Sequence, residues 1–242
     1  MAVSTQSKTL TSTAPRRRTR TADSADRAYE AIHKMIVDFK LMPQQRINEV
    51  QLARELNLSR TPVREALNRL TSEGFLIAKP NQGFFFRALE IDDLLDLFEL
   101  RTILETGGLV LACQRADDAD IERIEQFWAD AQERYRRHDP DEILGLDEHF
   151  HIQLMQLTGN DELVRNLEAI NARIRFVRRT QISLGKNHPK LIDEHTELLN
   201  AVRARDSDRC VTLLRDHISM TFEDAKTALK EALFHAYMGE NT

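Results

Sequence analysis

The chain has 242 residues, of which 41% are hydrophobic, 30% are charged and only 6% are aromatic. This balance is typical of a globular protein, and the length allows two ordinary domains, or one domain with a small appendage. No apolar run approaches the roughly 18 residues that span a bilayer, and the polar N-terminus lacks the apolar core of a secretory signal. Because only 8 glycines are present, we expect few tight turns and a mostly helical fold.

The charge is distributed unevenly along the chain. The net charge is −5, yet residues 1–88 carry 15 basic and 8 acidic side chains, a net of +7. The totals of 34 basic and 39 acidic residues leave 19 and 31 for the remainder, a net of −12. We therefore expect the two parts to bind different partners, with a polyanion favoured by the basic part.

Residues 1–22 are rich in Ser, Thr and Arg and poor in apolar residues. They are predicted to form a disordered basic arm, which either contacts DNA phosphates or is a solvated tail. Order is predicted to begin near Ser24, where Asp23 or Ser24 caps a first amphipathic helix. A second, short helix is predicted to begin after Asn48, which serves as its N-cap. A third helix is predicted to end at Gly74.

The stretch FLIAKPNQGFFFRAL then predicts two strands joined by a turn through residues 79–83. Three helices followed by a small β-hairpin are the plan of a winged helix-turn-helix, so residues 23–88 are predicted to be a DNA-binding domain. In that plan the third helix enters the major groove, and the hairpin, or wing, reaches toward the neighbouring groove or the backbone.

The third helix begins within LSRTPVREAL, which contains a proline. The first turn of a helix has amides without intrahelical acceptors, so Pro62 loses no hydrogen bond there and its fixed φ suits the helix. Either Ser59 or Thr61 can accept a hydrogen bond from these free amides. Both possibilities are compatible with the sequence.

Arg60 and Arg64 then lie four residues apart on one side of the opening turns. Their forked donors suit a guanine edge or a phosphate oxygen, and the positive end of the helix dipole also favours a phosphate. The alternative is that both arginines only solvate the surface and pair with Glu55 or Glu65. We favour DNA contact because the hairpin and the local basic charge follow in the order of a winged helix-turn-helix.

From Glu90 onward the pattern is helical throughout. Residues 89–236 are predicted to form an all-α bundle of six helices, possibly seven, followed by a tail at residues 237–242. No fixed-period repeat and no glycine-rich phosphate loop is present. Cys113 and Cys210 lie in no metal or redox spacing, and we interpret them as ordinary helix residues in a reducing cytosol.

Four ionisable residues fall on the apolar faces of three bundle helices. They are Asp147, His151, His195 and His217. Burying such groups separately is costly, whereas one shared divalent cation would satisfy all four. Imidazole and carboxylate ligands suit Zn²⁺, Ni²⁺, Mn²⁺ or Fe²⁺, and the sequence does not choose among them. The other histidines fall at polar or terminal positions.

Two arginines are candidates for binding an effector beside this metal site. Arg101 lies on an apolar helix face, where it either forms a salt bridge to Glu105 or another acidic neighbour, or offers a forked donor to a carboxylate ligand. We favour the ligand. Arg175 is a second candidate, in the basic segment ARIRFVRR.

The segment NEVQLARELNLSRTPVREALNRLTSEGFL resembles the DNA-binding domain of GntR-family bacterial transcription regulators. LRTILE, DEHFH, DEHTELLNAV and RDHI resemble the ligand-binding FCD domain of the FadR branch. The resemblance covers roughly residues 24–236. It implies operator contacts by Arg60 and Arg64, with Thr61 and the wing turn, Gln82 and Gly83, near phosphates or bases. Some members carry another DNA-contacting arginine where this chain has Val50.

The resemblance further implies that Asp147, His151, His195 and His217 hold the metal and that a small carboxylate completes its coordination. Members of the family dimerise, commonly bind a palindromic operator and are usually released by a metabolite. We therefore expect a homodimeric, metabolite-responsive repressor (less often an activator) that binds double-stranded DNA in the bacterial cytoplasm, associated with the nucleoid.

Two alternatives remain for the bundle. It could be a metalloenzyme fused to a DNA-binding module, but no positioned general base stands out, and a di-iron site would need a second Glu-x-x-His pair beside Glu148 and His151. Alternatively, the metal could stabilise the core without any effector. We expect no enzymatic activity.

Overall fold

The computed structural model describes residues 17–37, 44–87, 90–137, 139–184, 188–219 and 222–238. Within these residues the chain forms ten α-helices and one two-stranded sheet. The N-terminal elements are α1 (Arg17–Val37), α2 (Glu49–Glu55), α3 (Arg60–Ser72), β1 (Leu76–Lys79) and β2 (Gly83–Phe86). They share one hydrophobic core, in which α1 packs on α3. This is the predicted arrangement of three helices and a hairpin.

Helix α1 begins at Arg17 and not near Ser24. Residues 17–22 of the predicted disordered arm are therefore helical, and that part of the prediction is wrong. No glycine or proline interrupts residues 17–37, and the arginines and alanines of this segment favour a helix, so the helix continues through Asp23 and Ser24. Residues 1–16 of the predicted arm lie outside the described residues.

The caps of α2 and α3 differ. Asn48 caps α2 as predicted, since its Oδ1 accepts hydrogen bonds of 3.1 Å from the amides of Val50 and Gln51. Ser59 is the N-cap of α3 with an extended backbone, but its side chain makes no capping hydrogen bond. Pro62 lies in the first turn of α3, where a missing amide hydrogen costs nothing.

Helix α3 ends in a Schellman motif. Gly74 has a φ of +84°, in the left-handed region, and its amide donates to the Thr71 carbonyl at 3.1 Å. The next amide, of Phe75, donates to the Leu70 carbonyl at 3.0 Å. Both bonds satisfy carbonyls at the helix end. The predicted stop at Gly74 is confirmed.

The hairpin pairs β1 and β2 antiparallel, with Leu76 opposite Phe86 and Lys79 opposite Gly83. Asn81 and Gly83 have φ values of 59° and 92°, which the tight turn requires. The predicted turn through residues 79–83 is confirmed, and the turn projects from the end of the sheet.

The C-terminal bundle has seven helices among the described residues, so the alternative of seven is confirmed and the count of six is wrong. They are α4 (Ile91–Arg115), α5 (Asp118–Tyr135), α6 (Pro140–Gln156), α7 (Asp161–Leu184), α8 (His188–Arg203), α9 (Ser207–Ile218) and α10 (Phe222–Met238). The predicted sixth helix is divided after α9. Ser219 ends α9 with an extended ψ of 138°, and its hydroxyl donates to the Asp216 carbonyl at 3.2 Å. Serine competes for backbone carbonyls in this way without the glycine or proline that usually indicates a helix end.

The main core of the bundle contains both cysteines. The Cys113 and Cys210 sulfurs lie 3.8 Å apart as free thiols that connect α4 to α9. Burial raises the pKa of both thiols, so neither has the thiolate character of a reactive cysteine.

Gly108 permits the close packing of α4 on α6. A Cβ at this position would overlap the buried Met155 sulfur and lie 2.9 Å from its terminal carbon. We therefore expect Gly108→Ala to lower the free energy of unfolding by about 1–3 kcal/mol, because overpacking forces neighbouring side chains to move. Chemical denaturation followed by circular dichroism measures this change. In Gly145→Ala an added Cβ meets no atom within 4 Å, so this control should be unchanged or more stable by up to about 1 kcal/mol. Equal effects in the two variants would contradict the packing argument.

Candidate functional site

The structure brings the four predicted metal ligands together. Asp147 and His151 lie on α6, His195 on α8 and His217 on α9, and one ligand atom from each lies within 4.8 Å of all the others. The side chains of His151 and His195 are fully buried, and those of Asp147 and His217 nearly so. Three helices thus converge on one point in the bundle.

The distances between ligand atoms fit a common cation. The His195 Nε2 atom lies 3.1 Å from His217 Nε2 and 3.4 Å from His151 Nε2, and the third nitrogen pair is separated by 3.3 Å. Asp147 Oδ1 lies 3.5 Å from His195 Nε2. Bonds of about 2.1 Å to one ion would place neighbouring ligands roughly 3.0–3.4 Å apart in octahedral or tetrahedral geometry. The residues present therefore fit a metal.

The hydrogen bonds of the imidazoles point to the same conclusion. His151 Nδ1 lies 2.6 Å from Glu105 Oε2, and His217 Nδ1 lies 2.8 Å from Glu194 Oε2. A neutral imidazole that donates from Nδ1 has a lone pair on Nε2. The Nε2 lone pairs of His151 and His217 therefore face each other, and the single proton of His195 cannot bridge every pair. A cation at the centre removes this repulsion.

Two acidic residues that orient these histidines were not recognised as site residues from the sequence. Glu105 lies one turn after Arg101 on α4, and it was considered only as a salt-bridge partner. Glu194 directly precedes His195. Carboxylates that hold the outer nitrogen of a metal-binding histidine fix its ring and raise its basicity. Their positions beside predicted site residues were the signal that could have identified them.

The pKa shifts in the site favour the neutral forms of His151 and His195 and the ionised forms of Asp147 and Glu105. Burial lowers the pKa of His195 well below its usual value, and it also lowers that of His151. Burial alone would raise the pKa of Asp147, but Arg178 and the imidazoles hold it well below its usual range. For Glu105 burial also opposes ionisation, yet Arg101 and His151 lower its pKa to about 2. These are the protonation states of metal ligands and of the groups that orient them.

A cavity of about 430 Å³ adjoins the cluster. Its lining includes Asp147, His217, Lys190, Arg101 and Arg178. Arg101 donates from Nε to Glu105 at 2.5 Å, so the predicted salt bridge is present, and Arg178 is paired with Asp147. In addition, Arg101 Nη2 and Arg178 Nη1 are buried and have no hydrogen-bond partner among the described residues. Both arginines thus offer donors beside the cluster.

Arg175, the second predicted effector residue, is paired with Glu148 and is not among the residues that line this cavity. Arg178, one turn later on α7, occupies the position that we expected for Arg175. The segment is basic on all sides, so the sequence did not indicate which arginine faces inward. Glu148 forms an ion pair with Arg175 and is not part of the cluster of predicted metal ligands.

The predicted DNA-contacting residues are exposed, except Gly83, which is half-buried. Arg60, Thr61 and Arg64 lie in the first turns of α3, and Gln82 is in the exposed turn of the wing before Gly83. Within the part of the chain that the structure describes, neither Arg60 nor Arg64 forms an ion pair, so the predicted alternative of pairing with Glu55 or Glu65 is not found. Val50 is also exposed, on α2.

Comparison with known proteins identifies the family. The family model "Bacterial regulatory proteins, gntR family" matches residues 24–86, and the FCD domain model matches residues 96–220, about half of the chain. The Nta operon transcriptional regulator of Aminobacter aminovorans is 39% identical over 84% of this chain and 95% of its own length. The chain belongs to the GntR family.

Other relatives of this GntR-family protein are more distant. The HTH-type transcriptional repressor RspR of Escherichia coli is 22% identical over 84% of this chain and 89% of its own length. Among solved structures, a putative GntR regulator from Rhodococcus sp. RHA1 superposes with a TM-score of 0.66 at 24% identity, covering 88% of this chain and 99% of its own. Escherichia coli McbR/YncC superposes with a TM-score of 0.65 at 21% identity, covering 90% and 99%. These two structures share the fold.

This GntR-family chain is therefore a transcriptional regulator with an FCD domain, and its relatives are regulators and not enzymes. The predicted alternative of a metalloenzyme is thereby set aside. Among the described helices, none is both long and apolar enough to cross a membrane.

Proposed function

We propose that this regulator represses transcription as a homodimer on a palindromic operator, and that a small organic acid bound beside a divalent metal in the bundle releases it. The observation that carries the proposal is the convergence of three imidazoles and a carboxylate next to a cavity with two arginines. Repression is supported by the relative RspR, which is described as a repressor.

The DNA-binding part of the proposal rests on α3 and the wing. Exposed arginines in the first turns of α3 are free of ion pairs with other described residues, so no salt bridge has to break when they bind DNA. Their spacing places both guanidinium groups on the same side as the helix N-terminus, which favours phosphate. The exposed wing turn at residues 80–82 adds a second point of contact. Affinity should fall steeply with salt, because phosphate contacts release counterions.

Asp147, His151, His195 and His217 would hold the metal. Bound there, a divalent ion supplies a Lewis-acidic position that accepts a carboxylate oxygen. Glu105 and Glu194 keep the imidazole rings of His151 and His217 oriented, through hydrogen bonds of 2.6 and 2.8 Å. The site thus has its own supporting hydrogen bonds before any ligand enters.

A small anion fits the cavity better than a neutral ligand. The two buried arginine nitrogens without partners are costly unless a ligand satisfies them, and forked guanidinium donors match a carboxylate. Lys190 also lines the cavity, where it forms an ion pair of 3.0 Å with Glu194. A cavity of about 430 Å³ is at the small end of the usual range for ligand sites. These features favour an effector over a purely structural metal.

Helix α7 contacts both the cavity and the DNA-binding domain. Arg178 lines the cavity, whereas Ala172 packs against the core formed by α1 to α3. The Arg173 guanidinium lies 3.5 Å from the point where a Cβ on Gly74 would be, at the end of α3. A ligand that moves Arg178 would therefore shift the support of the recognition helix through one rigid element.

A titration with candidate organic acids tests the proposal. We expect one acid to raise the melting temperature of the metal-loaded protein and to release operator DNA in a gel shift, and a chelator to abolish both effects. Arg101→Lys keeps the charge that Glu105 needs but loses the fork, so it should weaken the acid's effect by about tenfold or more. Arg165→Lys changes an exposed ion pair with Glu162 and is the matched control.

The possible outcomes separate the sensor from a structural metal. If chelation lowers the melting temperature but no acid changes stability or operator binding, the metal is structural and the effector proposal is wrong. If chelation changes nothing, the metal proposal is wrong. An unaltered acid response in Arg101→Lys would contradict the role of this arginine.

A further inference from the structure

We infer that Tyr135 is a positioning residue of the metal site: its hydroxyl binds the outer nitrogen of His195 through one buried water and so leaves the inner nitrogen free for the metal. The inference concerns the metal site of the proposed function and therefore rests on it. Tyr135 is the last residue of α5, a helix that supplies none of the four predicted ligands. The inference starts from a difference among the three histidines.

Two of the three histidines have a carboxylate on the nitrogen that points away from the cluster. Nδ1 of His151 lies 2.6 Å from Glu105, and Nδ1 of His217 lies 2.8 Å from Glu194. By contrast, Nδ1 of His195 is buried and has no hydrogen-bond partner among the described residues. Its Nε2 faces the cluster, 3.1 Å from the Nε2 of His217, so Nδ1 is the outer nitrogen here as well.

A partner for Nδ1 decides which nitrogen of His195 holds the proton. A neutral imidazole carries one proton, and either nitrogen can hold it. With the proton on Nδ1, the Nε2 lone pair faces the centre and can bind a metal. With the proton on Nε2, the centre is blocked, because Nε2 of His217 at 3.1 Å and Nε2 of His151 at 3.4 Å are ready acceptors. An acceptor for the Nδ1 proton therefore favours the metal-binding form.

Tyr135 is the ring neighbour of His195 that can offer such an acceptor. Within the part of the chain that the structure describes, the rings that contact His195 are those of Trp128, Tyr135, Phe150, His151 and His217. Phe150 has no polar atom, and the Trp128 indole donates its one proton to the Thr196 hydroxyl at 2.9 Å. The other two imidazoles are held by their carboxylates. Only the tyrosine brings an oxygen that is not already in use.

The Tyr135 hydroxyl also lacks a partner. The residue is fully buried, and its oxygen makes no hydrogen bond to any described residue. The rings of Tyr135 and His195 are nearly perpendicular, with centroids 6.3 Å apart. No direct hydrogen bond joins the two side chains, so the inference places one water between them. A water that accepts the Nδ1 proton and hydrogen-bonds to the hydroxyl satisfies two buried groups that are costly to leave unpaired.

A neutral hydroxyl suits this position better than another carboxylate. Glu105, Asp147 and Glu194 already place three carboxylates against the imidazoles, and a fourth would add buried negative charge. Burial raises the pKa of Tyr135 far above its usual value, and the charge of Asp147 adds to this shift, so the hydroxyl stays neutral. Tyr135 is not among the residues that line the cavity, so its hydroxyl supports the cluster and does not face the effector.

The position of the proton on His195 can be measured without any metal. In metal-free protein that contains isotopically labelled histidine, nuclear magnetic resonance distinguishes a protonated ring nitrogen from an unprotonated one. We expect the proton on Nδ1 in the wild type and a shift toward Nε2 in Tyr135→Phe, which removes only the hydroxyl. The signals of His195 are identified by their loss in His195→Ala. An identical proton position in the wild type and Tyr135→Phe would overturn the inference.

Metal affinity gives a second measurement, by competition for Zn²⁺ with a chromophoric chelator. Tyr135→Phe should bind Zn²⁺ about tenfold or more weakly, which is the usual effect of removing a group that supports a ligand. Tyr29→Phe is the matched control, since it removes a hydroxyl that donates to Glu73 at 2.6 Å in the DNA-binding domain, and its affinity should be unchanged.

The melting temperature of the metal-free protein separates positioning from packing. Tyr135→Phe loses a buried hydroxyl that has no direct partner, so its metal-free melting temperature should not fall below that of the wild type. A lower metal-free melting temperature together with an unchanged Zn²⁺ affinity would assign Tyr135 to packing alone and overturn the inference.

The outcomes for Tyr135 and for the metal site are distinct. If the wild type and Tyr135→Phe bind Zn²⁺ equally tightly, the role of Tyr135 is wrong and the proposed metal site stands. If the wild type binds no divalent metal, the proposed metal site is wrong, and the proton position on His195 alone decides the role of Tyr135. Weaker binding in Tyr135→Phe with the proton shifted toward Nε2 supports both.

Discussion

Arg64→Ala is expected to abolish sequence-specific operator binding while leaving the fold intact. Arg64 is exposed in the second turn of α3, and its loss leaves no buried charge without a partner. A forked arginine contact to a base contributes about 1–3 kcal/mol of discrimination. If the DNA-binding domain of each subunit of a dimer makes this contact, affinity for the operator should fall by roughly 100-fold or more, toward the nonspecific level. A gel shift with operator DNA and with unrelated DNA measures the difference.

Salt dependence separates the two roles of Arg64. If it contacts a phosphate, the slope of log affinity against log salt should decrease by about one per contact and binding should weaken for all sequences alike. If it contacts a base edge, the slope should be maintained and only the operator should lose affinity. Arg165→Ala removes another exposed arginine, from α7, and should bind as the wild type does. An unchanged gel shift for Arg64→Ala would refute the proposed role of α3.

His195→Ala is expected to lower metal occupancy well below one ion per chain. His195 is fully buried, and its Nε2 lies within 3.4 Å of both other imidazole nitrogens. Changes in residues that only support a ligand already cost about 10–100-fold in metal affinity, so loss of the ligand itself should cost at least as much. Elemental analysis after dialysis gives the occupancy, and effector affinity should fall with it.

The His195 ring also packs against Trp128 and Phe150, so its removal affects stability independently of metal. The melting temperature with and without chelator distinguishes the two effects: the wild type should respond to the chelator and His195→Ala should not. His149 is an exposed histidine on the same helix as His151, so His149→Ala is the matched control. This variant should retain both the metal and the change of melting temperature on adding chelator. Full metal occupancy in His195→Ala would show that the four residues do not share one ion.

The helices of this protein and their inward faces could be predicted from the sequence because they depend on local spacing. Asp147 and His151 lie among apolar residues at helical intervals, and the structure buries them with those residues. The caps at Asn48 and Gly74 follow from backbone requirements within one turn. The early start of α1 and the break after α9 were missed for a related reason. Helix ends without glycine or proline depend on small differences between competing hydrogen bonds.

The partners of the site residues were harder to predict from the sequence. His151 meets Glu105 across 46 residues of sequence and His217 across 66, and no local pattern encodes these distances. The choice of Arg178 over Arg175 similarly depends on how α7 is rotated against α6, because both arginines lie in a segment that is basic on all sides. Cys113 and Cys210 also meet only because α4 packs on α9.

Local spacing was therefore sufficient to predict a winged helix-turn-helix, an all-α bundle, the exposed arginines at the start of α3 and the inward positions of the four predicted metal ligands. Those features require only contacts within a few residues along the chain. Which inward residues approach one another and which arginines face the cavity depended on the packing of seven helices. Packing is a property of side chains distant in sequence, and their complementary shapes and charges act only once the helices have been brought together.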